Sequence, residues 1–284
     1  MTNGRCADLS EEAGESLAAT ATTVSSWLLV EVGGTWPRDV SDLTALDEGE
    51  RAVISAWLAE VPSSRLLFIR RPGRASDRRL VFVVRATEAE AEGEVRRLEL
   101  GAIAELADID LAVGGDVTDA PLVLVCGHGT RDPCCALRGS AVYGSLAAHL
   151  AVDQLWLSSH QGGHRFAANV LLLPDGIHLG RVASEDAPRI VGDALVGRIE
   201  LAHYRGRTAY STRELAAERV VREANGLASL SAVRLVGDDG VHVRFVDSAG
   251  REYRAVIDEE SGPTVPASCG VEATPQQHVT ARLA

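Results

Sequence analysis

The sequence lacks several features that mark common protein classes. No stretch approaches eighteen consecutive apolar residues, and the N-terminus has no basic segment followed by an apolar run, which argues against membrane spanning and export. Aromatic residues make up only 4% of the 284 residues, so the core must be aliphatic. The number of cysteines, five, is odd, and no two of them form a C-x-x-C motif. We therefore expect a cytoplasmic protein whose cysteines serve metal or redox chemistry rather than a disulfide framework.

Basic residues are also in short supply. The chain has 28 of them, all Arg, against 40 acidic residues, which gives a formal net charge of −12 at pH 7. Phosphate backbones and anionic bilayers would be repelled at long range, so we expect neither nucleic acid nor a membrane as a partner. The 46% content of hydrophobic residues suffices for one or two cores and excludes a disordered chain.

The apolar pattern predicts an α/β protein of three domains, with a first boundary near residue 118. They are an N-terminal α/β accessory domain (1–117), a thioredoxin-like domain (118–205) and a small C-terminal α+β extension (206–284). The first domain is predicted to hold a strand at 26–32, a helix at 47–61, two strands at 66–69 and 80–84 around an Arg-rich hairpin tip (70–79), an acidic stretch (88–94) and a weakly patterned segment (95–111). The extension is predicted to hold a helix at 212–224 and strands at 231–236, 241–247 and 252–257.

The central domain has the clearest pattern. Its predicted elements are strands at 122–125, 155–158, 169–173 and 177–182 and helices at 135–150 and 186–197. Pro174-Asp175-Gly176 between the last two strands is a strong hairpin signal. A strand–helix–strand unit favours a parallel pair, and the added hairpin gives the order β-α-β-β-β-α. This order fits a thioredoxin-like sheet.

The chemistry-bearing residues follow the first two strands of that domain. The segment from Cys126 to Cys135 holds three thiols, with Cys134 beside Cys135. Arg131 and the start of the predicted helix would both lower thiol pKa values there. His160 and His164 flank Gly162-Gly163, which disfavour a helix and indicate a loop wrapped closely around something. Two cysteines and two histidines from adjacent strand ends can therefore converge on one point.

Spacing alone leaves several interpretations open. A Cys2His2 set suits structural zinc or a [2Fe–2S] cluster, and the eight-residue cysteine gap does not match a compact zinc finger. His160 is alternatively an exposed loop histidine, and Cys134 or Cys135 a small core residue. His128 either supports a ligand or faces solvent, and Arg131 either tunes the thiols or forms a salt bridge with Asp132 that fixes the loop.

The segments CGHGTRDPCCALRG (126–139), SSHQGGHRFAANVLLLPDGIHLGRV (158–182) and YRGRTAYS (204–211) resemble the sucrase/ferredoxin-like family. The resemblance implies a thioredoxin-like ferredoxin domain whose [2Fe–2S] cluster is bound by two cysteines and by the two histidines of an H-x-G-G-H motif. Residue by residue, these ligands fall on Cys126, Cys135, His160 and His164, with Cys134 as the alternative second cysteine. Nothing in the sequence presents the paired carboxylates of a glycosidase.

The sequence therefore predicts an electron carrier rather than a substrate-converting enzyme, with an unknown redox protein as donor or acceptor. Neutral imidazole ligands raise a cluster's potential relative to thiolates, and their second nitrogen allows proton coupling. The rival hypotheses are a thioredoxin-like thiol oxidoreductase using Cys126, Cys134 or Cys135 and a structural zinc module at the same residues. Cys6 and Cys269 lie far from the motif in sequence and are expected to have no ligand-like neighbours.

Overall fold

A ten-stranded mixed sheet and a separate four-stranded sheet form the framework of the protein. The structure is a computed structural model that describes residues 4–73, 78–88 and 93–284. The strands of the large sheet are β1 (Ser26–Glu31), β2 (Ser64–Arg70), β3 (Arg79–Arg85), β4 (Glu94–Leu100), β5 (Asp116–Thr118), β6 (Leu122–Cys126), β7 (Leu155–Ser158), β8 (Val170–Leu173), β9 (Ile177–Leu179) and β10 (Tyr204–Arg207). Their order across the sheet is β10-β9-β8-β6-β7-β2-β1-β3-β4-β5. The predicted mixed α/β class is confirmed.

The N-terminal half of the sheet is built around β1. Strand β1 is parallel to β2 and antiparallel to β3, with helix α2 (Glu48–Glu60) between β1 and β2 in the chain. The predicted hairpin of the strands at 66–69 and 80–84 is therefore wrong, because β1 lies between them. Strand β1 is buried on both faces, and its backbone pairs with a neighbouring strand along each edge. Residues 74–77 of the Arg-rich loop and 89–92 of the acidic stretch lie outside the described residues.

The C-terminal half of the sheet is built in the same way around β6. Strand β6 is parallel to β7 and antiparallel to β8, which pairs with β9 as the Pro-Asp-Gly hairpin predicts. The order β9-β8-β6-β7 thus matches β4-β3-β1-β2 in the other half. The two halves meet where β2 and β7 pair antiparallel, at Ile69 opposite Ser158. One sheet therefore crosses the predicted boundary near residue 118, and the division into domains stays a prediction.

Local capping residues fix where the site-bearing helix begins. Helix α3 spans Pro133–Leu146 rather than the predicted 135–150, because Asp132 accepts a hydrogen bond from the Cys134 backbone N–H at 2.8 Å and Pro133 occupies the first turn. Helix α4 (Ala187–Leu195) also begins with a proline in its first turn and packs near α3. Cys134 and Cys135 consequently lie in the first turn of α3, where the helix dipole favours thiolates.

The C-terminal region forms the second sheet. Its strands β11 (Val233–Asp238), β12 (His242–Asp247), β13 (Glu252–Pro266) and β14 (Ala273–Leu283) are antiparallel neighbours, and helix α5 (Thr212–Asn225) packs on them. The third predicted strand, at 252–257, is therefore much longer than expected, and β14 pairs along its length. A short helix α1 (Cys6–Glu12) contacts β13, so the first and last parts of the chain meet.

The core is mainly aliphatic, as the composition predicts. It divides into a large cluster on one face of the ten-stranded sheet, a second cluster on the other face, a third between α5 and the small sheet, and a small fourth one around Cys6 and Cys134. In the described ranges, no helix combines the length and apolar character needed to cross a bilayer.

Candidate metal centre

Three of the four predicted ligands meet at the ends of β6 and β7, and the fourth, His164, lies beside them. Cys126 is the last residue of β6, Cys135 lies in the first turn of α3, and His160 and His164 lie in the loop after β7. The ligand atoms of Cys126, Cys135 and His160 all lie within 4.8 Å of one another. His164 joins them, since its Nδ1 is 4.0 Å from Cys135 Sγ and its ring stacks on His160 with centroids 3.8 Å apart.

The two thiols of the site are buried and differ in acidity. A hydrogen bond from the Cys135 thiol lowers the pKa of Cys126, and the contact with His160 and the backbone N–H of Gln161 act in the same direction. The same hydrogen bond and burial raise the pKa of Cys135. Cys126 is therefore the more acidic thiol of the pair, and a bound cation would replace thiol protons there.

The two histidines differ in their surroundings. The Nδ1 atom of His160 is buried and has no hydrogen-bond partner among the described residues, which is uncommon for a buried polar atom. Burial, together with the neighbouring His160, lowers the pKa of His164 to about 4, so its ring is neutral at physiological pH. Neutral imidazole is the form that binds a metal.

The loop that carries the histidines is held by side chains from other elements. Arg65, on β2, donates to the carbonyl of His160 at 2.7 Å, and Arg205, on β10, donates to the carbonyl of Gly162 at 3.0 Å. Gln161 points inward and donates to the Leu124 carbonyl at 2.8 Å. Burial lowers the pKa of Arg205 to about 9, which still leaves it protonated at neutral pH. The positive charges of Arg65 and Arg205 also interact electrostatically with the Cys126 thiol.

The two glycines of the loop are required by backbone and by space. Gly162 has φ +106° and Gly163 has φ +70°, in the region that side chains disfavour. A Cβ atom on Gly162 would overlap Thr22 Oγ1, and one on Gly163 would lie 2.7 Å from an Nη atom of Arg205. The expectation of a loop wrapped closely around its surroundings therefore fits the geometry.

His128 and Arg131 differ in their relation to the site. His128 is buried, accepts a hydrogen bond at Nδ1 from the His160 backbone N–H (3.1 Å) and donates from Nε2 to the Pro37 carbonyl (2.8 Å), so it orients the loop and does not face solvent. The predicted salt bridge of Arg131 with Asp132 is wrong. Arg131 pairs instead with Asp39 at 3.4 Å, in a partly exposed position.

The expectation that Cys6 and Cys269 lack ligand-like neighbours is also wrong. The Sγ atoms of Cys6 and Cys269 are 3.5 Å apart, and each approaches Cys134 Sγ, at 3.7 Å and 3.3 Å. Asp132 lies against the same group, 3.6 Å from Cys6 Sγ. No local sequence signal announces this group, because Cys6 and Cys269 are 263 residues apart. The one sequence signal that could have indicated a second group is that three of the five cysteines lie outside the predicted ligand set.

Among the residues that the structure describes, two groups of side chains can therefore hold a metal ion. The first, at Cys126, Cys135 and His160, combines thiol and imidazole donors, which suit zinc, copper and iron rather than the hard cations Mg²⁺ and Ca²⁺. The second combines three thiols with a carboxylate. Both groups draw on the first turn of α3 or its cap.

Comparison with known proteins agrees with the motif-based resemblance. The chain is 35% identical over 104 residues to "Altered inheritance of mitochondria protein 32" of Meyerozyma guilliermondii, covering 32% of this chain and 36% of that protein. It is 31% identical over 99 residues to the protein of the same name of Eremothecium gossypii, covering 30% and 32%. The alignments thus span about a third of these relatives, and no solved structure matches the chain. The model of the sucrase/ferredoxin-like family matches residues 17–206, about two thirds of the sequence, and the chain belongs to that family.

Proposed function

We propose that this protein is a one-electron carrier that holds a [2Fe–2S] cluster at Cys126, Cys135, His160 and His164. The observation that carries the proposal is that the ligand atoms of Cys126, Cys135 and His160 lie within 4.8 Å of one another, with His164 Nδ1 4.0 Å from Cys135 Sγ. In addition, His160 Nδ1 has no hydrogen-bond partner among the described residues. The donor set fits the group chemically, since iron–sulfur clusters accept thiolate ligands and, in some proteins, two histidines. The strand order β9-β8-β6-β7 supports the thioredoxin-like description of this half.

The cluster, when bound, would supply reversible one-electron transfer. The chain's own residues would hold it rigidly. Gln161 and His128 fix the histidine loop from inside the protein, and the guanidinium groups of Arg65 and Arg205 stabilise negative charge close to Cys126. Buried cations favour the more negative redox state, so they would raise the reduction potential.

We further propose that reduction is coupled to protonation at a ligand histidine. His160 is partly exposed, whereas His164 is buried, so the His160 ring is the one that solvent protons reach. An imidazole that binds through one nitrogen keeps a second nitrogen for a proton. Added negative charge nearby favours the protonated ring.

The partner would be another redox protein that approaches the surface near His160. The compartment is proposed to be the cytoplasm. The rival with structural zinc at the same four residues would hold the same loops without redox activity. The rival thiol oxidoreductase would need two of the thiols to cycle between dithiol and disulfide.

Anaerobic purification of the full chain, followed by an absorption spectrum and by iron, sulfide and zinc analysis, tests the proposal. We expect a brown protein with iron and acid-labile sulfide in equal amounts. Cys135→Ala should lose both, while Cys134→Ala should keep both, and these two adjacent buried cysteines form a matched pair.

A colourless protein with zinc that Cys126→Ser or Cys135→Ala removes would refute the electron carrier and establish the zinc module. A metal-free protein with a reversible disulfide involving Cys126 or Cys135 would establish the thiol oxidoreductase. Loss of iron in Cys134→Ala alone would move the second cysteine ligand to Cys134.

A further inference from the structure

The group formed by Cys6, Cys134, Cys269 and Asp132 is separate from the four ligands proposed for the cluster. It gathers three distant parts of the chain: α1, the cap and first turn of α3, and the turn between β13 and β14. Cys6, Cys134 and Asp132 are fully buried, and Cys269 is partly exposed. Three thiols and a carboxylate packed together out of solvent require an explanation, because buried carboxylates are ordinarily paired with a cation.

The distances within the group are those of a tetrahedral thiolate site. The three sulfur–sulfur separations are 3.3, 3.5 and 3.7 Å. A zinc ion with Zn–S bonds of about 2.3 Å and tetrahedral angles places its sulfurs about 3.8 Å apart. The carboxylate oxygens of Asp132 lie 3.7 and 3.6 Å from Cys6 Sγ, against about 3.5 Å for the sulfur and oxygen of such a site.

The surroundings of the carboxylate leave one position open for a cation. Asp132 Oδ2 accepts hydrogen bonds from Ser268 Oγ and from the backbone N–H of Cys269, both at 2.8 Å. Oδ1 accepts from the backbone N–H of Cys134, also at 2.8 Å, and its other contact is the Cys6 thiol at 3.7 Å, whose proton a bound cation would replace. Backbone N–H groups also reach the sulfurs, since Cys6 N–H donates to Cys269 Sγ at 3.3 Å. These donors orient the ligands and offset the negative charge of the site.

We propose that Cys6, Cys134, Cys269 and Asp132 form a second, structural metal site that binds one zinc ion through three thiolates and Asp132 Oδ1. Binding would release the thiol protons to solvent, with no change of oxidation state. Soft thiolate donors exclude Mg²⁺ and Ca²⁺, and Zn²⁺ binds such donors more tightly than Fe²⁺. Four protein ligands leave no open position, which is the arrangement of a structural rather than a catalytic zinc.

The zinc would tie the two ends of the chain to the proposed cluster site. Cys134 precedes the cluster ligand Cys135 directly, so the zinc would fix the first turn of α3 from one side while the cluster fixes it from the other. A disulfide explains the group less well, because it joins two sulfurs and leaves the third thiol beside an unpaired carboxylate.

The test is metal analysis of the full chain, purified anaerobically from zinc-supplemented cells and dialysed against EDTA. We expect one tightly bound zinc per chain. Cys6→Ser, Cys269→Ser and Asp132→Asn should each lose this zinc while keeping the iron, sulfide and visible spectrum. Asp132→Asn retains the helix cap, because Asn also caps helices.

Two controls separate this site from the proposed cluster. Cys126→Ser should lose the iron and keep the zinc. Ser268→Ala, which removes a hydrogen bond to Asp132 but none of the four donors, should keep both. Replacing the zinc by Co²⁺ in Cys126→Ser should give the visible absorption of a tetrahedral cobalt thiolate, and Cys269→Ser in addition should abolish it.

The proposal is overturned if the wild-type protein contains no zinc, or if Cys6→Ser and Cys269→Ser leave the zinc content unchanged. Iron in place of zinc at these residues would overturn the assignment of the metal. A disulfide between two of the three cysteines, found by mass spectrometry after alkylation without reduction, would also overturn it. Failure of the cluster proposal alone would leave the zinc of the Cys126→Ser protein intact, so the two proposals fail independently.

Discussion

Two glycines of helix α3 allow a sharp test of how the helix positions Cys135. Gly139 is buried, and a Cβ atom on it would overlap the carbonyl oxygen of Cys126. Gly144 lies in the same helix, is exposed, and a Cβ atom there would meet nothing within 4 Å. Replacing glycine by alanine is therefore the same chemical change at both positions, and only the space around the added methyl group differs.

The expected effects have opposite signs. In a helix interior, Ala is more favourable than Gly by about 0.8–1.0 kcal/mol, so Gly144→Ala should stabilise the protein by roughly that amount. Gly139→Ala gains the same preference but must separate α3 from β6 by on the order of 1 Å to restore van der Waals contact. Overpacking of this kind costs about 1–3 kcal/mol or more, so we expect net destabilisation at Gly139.

Thermal unfolding followed by circular dichroism at one scan rate measures both effects. For a chain of this size, about 1 kcal/mol shifts the midpoint by roughly 2–4 °C, so Gly144→Ala should raise it by a few degrees and Gly139→Ala should lower it. Cys135 lies one helical turn before Gly139, so the displaced helix also carries one proposed ligand away from Cys126. Iron content should fall in Gly139→Ala and stay unchanged in Gly144→Ala. Equal midpoints and equal iron in the two variants would refute the close approach of α3 to β6.

Three further predictions concern stability and redox behaviour. Glu218→Ala should destabilise the protein by about 3–5 kcal/mol, because it leaves the fully buried Arg222, which pairs with Glu218 at 2.9 Å, without its counter-charge. Glu223→Ala, on the exposed side of α5, should cost under about 0.5 kcal/mol. Denaturant titrations measure both changes in the free energy of unfolding. Burial lowers the pKa of His178, so at acid pH the unfolded chain binds a proton that the folded protein does not bind. The stability that neutral His178 contributes is therefore complete above pH ~6.5. It is lost as the pH falls below that value, by up to about 1.4 kcal/mol per pH unit. His178→Gln should flatten that acid slope, and an unchanged slope would contradict the assignment. The reduction potential should fall with rising pH by about 59 mV per unit wherever one proton accompanies each electron, and voltammetry showing a flat potential from pH 5 to 10 would exclude the coupling.

The sequence determined the elements whose signals are local. Apolar runs located β6, β7, β8 and β9 of the large sheet but not its edge strand β10. Pro174-Asp175-Gly176 located the β8–β9 hairpin because those residues favour a tight turn. Their positions after predicted strands also singled out the thiols of the segment 126–135 and the two histidines His160 and His164, and the family resemblance implied Cys126 and Cys135 among the thiols. Strand β14 gave little signal, because its residues are largely polar and include a proline, and its pairing with β13 decides its conformation.

Only the tertiary structure decided which distant segments meet. Pairing of β2 with β7 joins two halves of the same strand order into one sheet, although no periodicity within either strand specifies its neighbour. Cys126 is the last residue of β6, and Glu31 is the last residue of β1, the corresponding strand of the other half. Glu31 pairs with buried Arg71 at 3.5 Å. The similar frame thus carries metal-ligand chemistry in one half and an ion pair in the other.

The second cysteine group makes the same point most strongly. Cys6 and Cys269 belong to segments with no shared motif, and their sulfurs approach each other only because α1 and the long C-terminal hairpin pack together near the start of α3. Periodicity and spacing describe residues within one or two elements, since they arise from local backbone geometry. Contacts across the whole chain depend on how those elements pack, and packing alone brings these three thiols to one carboxylate.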